Sequence, residues 1–431
     1  MVKYDVLIIG AGIVGLSTAY HLKMLDPKLN VIVVEKKSSP GQGETGKAPG
    51  GFRLDVWTSK TNLSLGRSSI MFYRHIQEDL KIDLGMKWVG YLFMMDNGLY
   101  ETAKPALNKM DSMGVKYRIY SKEDLARNLN VNVNVLDEEA KSMNLRNIDV
   151  GLMFPNAGYW RQENMVKFYE MEFIRMNGKI LYNTFTSRII TGPRIEFNIP
   201  NEPHIWQEVI AKGALTDKGF IEANEIVVAA SAWAPQILDS IGIDCHFKPK
   251  KRQVFIVKAN TEPLKQVMFA KGFNKLNAAP FLFIYVRGES WLWMKPDIGE
   301  LAYWIGCSDH LGRAYGVVED DPPAEENFYK YGIYQVLVKY FPQFINVYPS
   351  NSHAGYYDIS IDGLPIVHKE SNITVVGGTS GNGLSKADAL GRITAATCLN
   401  REYAELYGGE KFKVSDLSIV NRNIDKEIFI I

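Results

Sequence analysis

The apolar positions near the N-terminus change period within 35 residues. "YDVLII" (Tyr4 to Ile9) is a continuous apolar run of strand length, while "IVGLSTAYHLKML" (Ile13 to Leu25) spaces its apolar residues for a helix. "VIVVE", from Val31 to Glu35, is a second short apolar run that ends on an acid. The pattern predicts a strand, a glycine turn, a helix and a second strand, which is a βαβ unit. A polar, helix-rich zone follows to about Leu145, and "RQENMVKFYEMEFIRMNG" then reads as a helix that Gly178 can terminate. "KILYNTFTSRII" predicts one strand, and "EIVVAASAWAPQIL" a strand running through small residues into a helix.

Between Gln253 and Cys307 the pattern changes. "QVFIVKA", "FLFIYVRG", "WLWMKP" and "AYWIGCS" are rich in aromatic and β-branched residues, which predicts an antiparallel sheet. "NITVVGGTSGNGLSKADALGRITAATCL" then returns to strand, glycine turn and helix. The two ends share one style and the middle has another. The expected fold is therefore α/β: a discontinuous Rossmann-like nucleotide-binding domain (1–90, 151–240 and 350–410), an inserted strand-rich domain (91–150 and 241–349) and a C-terminal tail (411–431).

Composition narrows the function classes. The 431 residues carry a formal charge of +1, which exerts no long-range pull on polyanions, so nucleic acid is not expected as a partner. Cys245, Cys307 and Cys398 are odd in number and far apart, fitting neither a disulfide framework nor a metal cluster, so no metal is expected. A reducing cytoplasm is the simpler location, with contact at the inner membrane face or between copies left open. The apolar opening lacks a basic leader and a cleavage site, and no other uncharged run approaches the roughly 20 residues of a membrane span. The terminal "IFII" is expected to be a strand or packed tail. "KPKKR", Lys248 to Arg252, is read as a solvated edge preceding a strand.

"GAGIVG" sets Gly10, Gly12 and Gly15 between strand and helix, where they suit a tight bend, close backbone approach to a pyrophosphate and close helix packing. Glu35, at the end of the second strand, can accept from both ribose hydroxyls, which disfavours a 2′-phosphate but does not separate NAD from FAD. "GQGETGKAPGGFR" follows, with five glycines in thirteen residues. Over a cofactor longer than NAD's first half, Thr45 could bond a phosphate oxygen or ribityl hydroxyl, Lys47 could offset charge, and Arg53 could sit beside the ring. Near the far end, Gly377, Gly378, Gly381 and Gly383 precede a helix whose N-terminal amides favour negative charge.

Taken in order, "DVLIIGAGIVGLSTAYHL", "VEK", "GKAPGGFR", "EIVVAASAWAPQIL", "AGYYDISIDGLPIV" and "VVGGTSGNGLSKADALGR" resemble the D-amino acid oxidase superfamily of flavoproteins, from Asp5 to about Gly409. "VGYLFMMD", "PKKRQVFIV", "SDHLGRAYG", "AGYYDIS" and "ELYGGE" are similar to its archaeal dye-linked L-proline dehydrogenases. The resemblance implies FAD in a glutathione-reductase-like domain, a substrate sheet over the flavin, and oxidation of a C–N bond by hydride transfer to flavin N5. By position it assigns Gly10, Gly12, Gly15, Glu35 and Lys36 to the adenosine and pyrophosphate half. Thr45, Gly46, Lys47 and Arg53 fall in the flavin-side loop, Ala230 and Trp233 in the strand turn, and Gly378, Ser380, Gly381, Asn382, Gly383 and Leu384 at the pyrimidine edge.

Three departures from the family pattern carry expectations. Ser231 stands where relatives have glycine. Lys47, and the Gly299–Glu300 region, stand where some relatives attach FAD covalently, so FAD is expected to be non-covalent. Ser385 replaces a lysine that assists oxygen reduction in certain oxidases, with Lys386 one position and about 100° of helix rotation away, which favours a dehydrogenase. Lys295 and Arg53 are the leading cations for a substrate carboxylate, with Arg287 also considered. Tyr285, Trp293 and Tyr357 are candidates for an aromatic wall, and Cys307 for a small core residue. L-Proline or a related amine is the first-choice substrate, with an unidentified electron acceptor. The competing readings are a 2-hydroxy-acid dehydrogenase with a histidine base, an electron-transfer subunit without its own substrate, and an NAD-binding protein.

Overall fold

The computed structural model describes residues 3–288, 290–309, 312–317 and 319–429. Two large sheets organise the chain. The first runs Ile366–Glu370, Ile373–Gly377, Gly219–Val228, Tyr4–Ile9, Val31–Val34, Lys179–Leu181, with Val209–Thr216 and Thr186–Pro193 added antiparallel beside Gly219–Val228. Its central pairs are parallel. Helices Ile13–Leu25, Lys60–Glu78, Gln162–Arg175 and Gly383–Cys398 contribute to the core on one face, and Ala234–Leu238 and the antiparallel extension cover the other. Burial on both faces is why Tyr4–Ile9 and Val31–Val34 read as unbroken apolar runs.

The second sheet runs Asn351–Ser360, Phe247–Lys258, Ala302–Cys307, Ser290–Asp297, Phe281–Arg287, Tyr91–Met95, Val150–Phe154, Arg118–Ser121. It is antiparallel except where Tyr91–Met95 lies parallel to Phe281–Arg287, joining the two chain segments that build it. Side chains alternate between its faces. Leu92, Met94, Leu282, Ile284, Leu292 and Met294 enter one core, whereas Tyr91, Phe93, Phe281, Phe283 and Trp291 form an aromatic cluster on the other side.

Several boundaries differ from the expectation. Val150–Phe154 and Asn351–Ser360 belong to the second sheet, so the first body resumes near 155 and 361 rather than 151 and 350. "KILYNTFTSRII" makes two strands in different pairings, because Lys179–Leu181 pairs with Val31–Val34 and Thr186–Pro193 with Val209–Thr216. After Gln162–Arg175 the left-handed turn residue is Asn177, at φ 61, ahead of Gly178. "KPKKR" lies within Phe247–Lys258, not before it. In the tail, Lys411–Lys413 forms a small ribbon with Tyr403–Glu405, and Phe429 packs into the aromatic cluster; Ile430 and Ile431 lie outside the described residues.

Candidate functional site

A cavity of about 510 Å³ runs between the two sheets. At one end Gly10, Gly12 and Glu35 line it. The Glu35 carboxylate accepts from the backbone N–H of Ala11 at 2.8 Å and of Lys37 at 2.9 Å, so it is held against the glycine turn. Gly15 lies behind the wall, where an added Cβ would meet Gly10 O at 2.0 Å. The Thr45 hydroxyl accepts from Ile13 N at 3.1 Å, placing the flexible loop over the start of helix Ile13–Leu25. Gln162 holds the same loop from below by donating to Gly46 O and Ala48 O.

The basic residues at this end are partly committed. Lys36 stacks 3.9 Å over the Trp233 ring and pairs with Asp320, and Lys47 pairs with Asp321 at 2.6 Å. Both acids come from the long connection of the second sheet, so those lysines also tie the two bodies together. Ser231 adopts φ 47. That is left-handed backbone, which a glycine would suit, and the Ser231 hydroxyl donates to Asp358 at 3.4 Å.

The other end is built by the last glycine loop and the aromatic face. Asp358 accepts from Thr379 N at 3.1 Å and Thr379 Oγ1 at 2.7 Å, which shapes the loop ahead of helix Gly383–Cys398. Gly381 sits at φ +83, and a Cβ there would meet the Tyr357 ring at 2.3 Å. Helix Gly383–Cys398 is clamped to helix Ile13–Leu25 by buried Asp388, which meets His21 at 2.7 Å and Arg392 at 2.7 Å. Burial pushes the Asp388 carboxyl up, but His21 and Arg392 pull it further down, below its usual value. Arg53 is buried, with its Cζ 3.7 Å from the Trp57 ring centroid and Nη2 donating to Asn382 Oδ1 at 3.1 Å. Its Nη1 is buried without a hydrogen-bond partner. Tyr91, Phe281, Phe283, Trp291, Trp293 and Tyr357 complete this end of the wall.

Other sequence candidates lie elsewhere. Lys295 is outside the cavity wall, paired with Asp297 at 3.3 Å and 4.1 Å from the Trp304 ring centroid. It shares a strand face with Trp291 and Trp293, but each two-residue step advances roughly 6.8 Å and carries it past the cavity's end. Tyr285 is likewise off the wall, packed on Trp291 and Arg146. Gly46 and Gly378 support the loops without lining the space, whereas Lys36, Ala230, Trp233, Ser380, Asn382, Gly383 and Leu384 line it. Cys307, expected as a core residue, is half-buried at the wall. His353 is off it, bonded to Lys47 O at 2.9 Å.

Sequence reasoning missed Tyr91, Arg252, Phe281, Trp291 and Glu44. Alternation on an aromatic strand pointed to Phe281 and Trp291; nothing local pointed to Glu44. This side chain lines the cavity, accepts from Tyr356 N through Oε2 and leaves Oε1 buried without a partner. Burial pushes its carboxyl up to about 7, although the Tyr356 N–H and Lys47 pull it down. The native state thus holds this proton more tightly than the unfolded chain, whose ordinary value is 4.5. The associated stability is complete below pH 4.5 and is lost as pH rises through 7. Glu44→Gln is therefore expected to raise the unfolding temperature at pH 8 but hardly at pH 5, with a gain approaching about 3 kcal/mol. Calorimetry at both pH values checks this, and equal shifts would contradict it.

Glycine backbone beside an acid at one end, a loop hydroxyl at a helix start, and a buried cation under an aromatic wall at the other make one continuous site suited to a long dinucleotide. The fold and site are those of a flavin-dependent oxidoreductase. Residues 5–397 match the family described as FAD dependent oxidoreductase, and the chain belongs to it. It is 22% identical over 435 residues to FAD-dependent oxidoreductase domain-containing protein 1 of Xenopus laevis, covering 91% of this chain and 78% of that one. Identity to the Mus musculus protein of the same name is 24% over 436 residues, covering 93% and 82%. Among solved structures, L-proline dehydrogenase from P. horikoshii superposes with a TM-score of 0.72 at 21% identity, covering 96% of each chain. Glycine oxidase from Bacillus cereus superposes with a TM-score of 0.68 at 18% identity, covering 94% and 98%. These likenesses establish the shared fold.

The residues present fit FAD, which the family implies. Bare backbone at Gly10 and Gly12 leaves room beside the helix start, and the unpartnered Arg53 Nη1 marks the opposite end as a place for negative charge. Among the described residues no helix is long and apolar enough to cross a membrane.

Proposed function

We propose that this protein is a dehydrogenase that oxidises the C–N bond of a small amino acid or secondary amine, with L-proline the first substrate to test. The observation that carries the reading is the buried Arg53, whose Nη1 lacks an acceptor in a cavity walled by Tyr91, Phe281, Phe283 and Trp291. A desolvated guanidinium binds a carboxylate strongly, and the aromatic wall suits an apolar ring while excluding water. FAD, when bound, supplies the hydride acceptor. Gly10, Gly12, Glu35 and Thr45 would hold its nucleotide half, and Ser380 to Leu384 its ring edge. Arg53 fixes the substrate carboxylate and Asn382 fixes Arg53, so the chain contributes mainly positioning. Lys295 is replaced by Arg53 in the carboxylate role.

A non-covalent FAD is supported by Cys307, whose thiol burial pushes up to about 12, leaving little thiolate for attachment. Acid precipitation of the yellow protein is expected to leave the flavin in the supernatant; colour in the pellet contradicts this. A dehydrogenase is supported by Lys386, whose side chain leaves the cavity to Ser385 and turns into the core. The deciding experiment is the anaerobic visible spectrum before and after L-proline, other amines and 2-hydroxy acids. Bleaching by proline or another amine is expected; bleaching by hydroxy acids alone would transfer the reading to that class.

A further inference from the structure

Behind Arg53 lies a second buried cation that the proposed reaction does not use. Lys386 is 0% exposed, and its Nζ lies 4.6 Å from the centroid of the same Trp57 ring that Arg53 stacks on at 3.7 Å. Nζ donates to Asn62 Oδ1 at 2.7 Å. The other end of that amide, Nδ2, donates to Glu427 Oε2 at 3.2 Å. Glu427 comes from the C-terminal tail. It also accepts from Thr58 N at 2.9 Å and from Ser59 N at 3.3 Å, while Phe429 anchors the tail in the aromatic cluster.

We propose that Lys386, held by Asn62 and Glu427 against the Trp57 ring on which Arg53 stacks, is a positioning residue which makes the binding of an anion at Arg53 take up a fraction of a proton from solvent onto Lys386 Nζ. The inference rests on the reading of Arg53 as the carboxylate-binding group. Two cations share one aromatic ring and, among the described residues, one carboxylate acting on Lys386, which reaches it through a neutral amide. With both protonated, the cluster holds a surplus positive charge away from water, and that is unfavourable until an anion arrives. The groups facing Lys386 are Arg53 on strand Gly51–Arg53, Trp57 and Asn62 at the entry to helix Lys60–Glu78, and Glu427. Tyr91 adjoins Arg53, and Asp388 on the lysine's own helix turns to His21 and Arg392. Burial first and Arg53 second, against the opposing pull of Glu427, lower the Lys386 ammonium to about 7. The ammonium is thus poised to respond.

The sign of the effect follows from linkage. A bound carboxylate favours the protonated lysine, so affinity is highest below pH 7 and falls as pH rises past the lysine's titration. The probe is pyrrole-2-carboxylate, which has no saturated carbon to oxidise and stays ionised from about pH 6 to 9. Its binding to the FAD-loaded protein is read from the flavin difference spectrum and by calorimetry in two buffers of different ionisation heat. Wild type is expected to lose about tenfold in affinity across that range, with net proton uptake near pH 8. Glu44, on the same cavity and also pushed up to about 7, is taken out of the readout by repeating both measurements in a Glu44→Gln background, where Lys386→Met is expected to bind with no pH dependence and no proton uptake. Lys386→Arg, charged throughout, is expected to keep the low-pH affinity at high pH and guards against a fold lost by the methionine variant. Glu427→Gln is expected to move the fall in affinity to lower pH. A pH-independent wild type, or unchanged proton uptake in Lys386→Met, would overturn the proposal while leaving Arg53 in place. Equal binding by Arg53→Met would instead overturn the reading of Arg53 and with it this inference.

Discussion

Arg53→Met is expected to lower kcat/KM for a carboxylate-bearing amine by about 10²–10³, while oxidation of the matching amine without a carboxylate changes by less than about threefold. Removing one partner of a desolvated, hydrogen-bonded charge pair costs about 3–4 kcal/mol, which sets the first figure. The carboxylate is present in both ground and transition states, so the loss should appear mainly in KM. Steady-state kinetics on the two amines checks the expectation. A methionine variant with wild-type KM for the amino acid would remove Arg53 from the substrate site, since among the described residues no other cation of the wall combines its burial with an unpartnered donor.

The second large effect concerns the cofactor. Gly15→Ala is expected to yield a protein that purifies without colour and binds added FAD more than about 100-fold more weakly, because the glycine turn serves close approach of backbone and ligand. The added Cβ would lie 2.0 Å from Gly10 O and 3.3 Å from the Ala229 Cβ. Neither neighbour is the free end of a flexible side chain, so the helix start must move away from the strand, and the amide cradle opens. The ratio of flavin to protein absorbance, followed by a fluorescence titration with FAD, measures this. Wild-type colour in the variant would show that the turn tolerates the shift.

How far the site could be read from sequence depended on the range of the interactions that make it. Gly10, Gly12, Gly15 and Glu35 lie within 26 residues, and their meaning comes from one strand, one turn and one helix. Arg53 and Asn382 were both named from separate loops, yet their 3.1 Å contact joins positions 329 residues apart. Lys295 shows the opposite case. Strand alternation correctly groups it with Trp291 and Trp293, but a period of two says which face a residue occupies and not where along the strand a cavity ends. Glu44 was passed over because an acid in a polar loop reads as solvated, and only Tyr356 and Gly355 closing over it make it buried.

Local pattern by itself determined the βαβ unit, the glycine turns, the acid at the end of the second strand and the aromatic strands, because hydrophobic period and backbone sterics act over a few residues. The tertiary structure alone decided which strands share a sheet, which cation faces the cavity and what the tail does. Glu427 reaches Thr58 across 369 residues, and Lys386 reaches Asn62 across 324. Such contacts exist only when two distant segments are packed together. A buried charge is placed by what surrounds it in three dimensions, and that arrangement has no local signature in the chain.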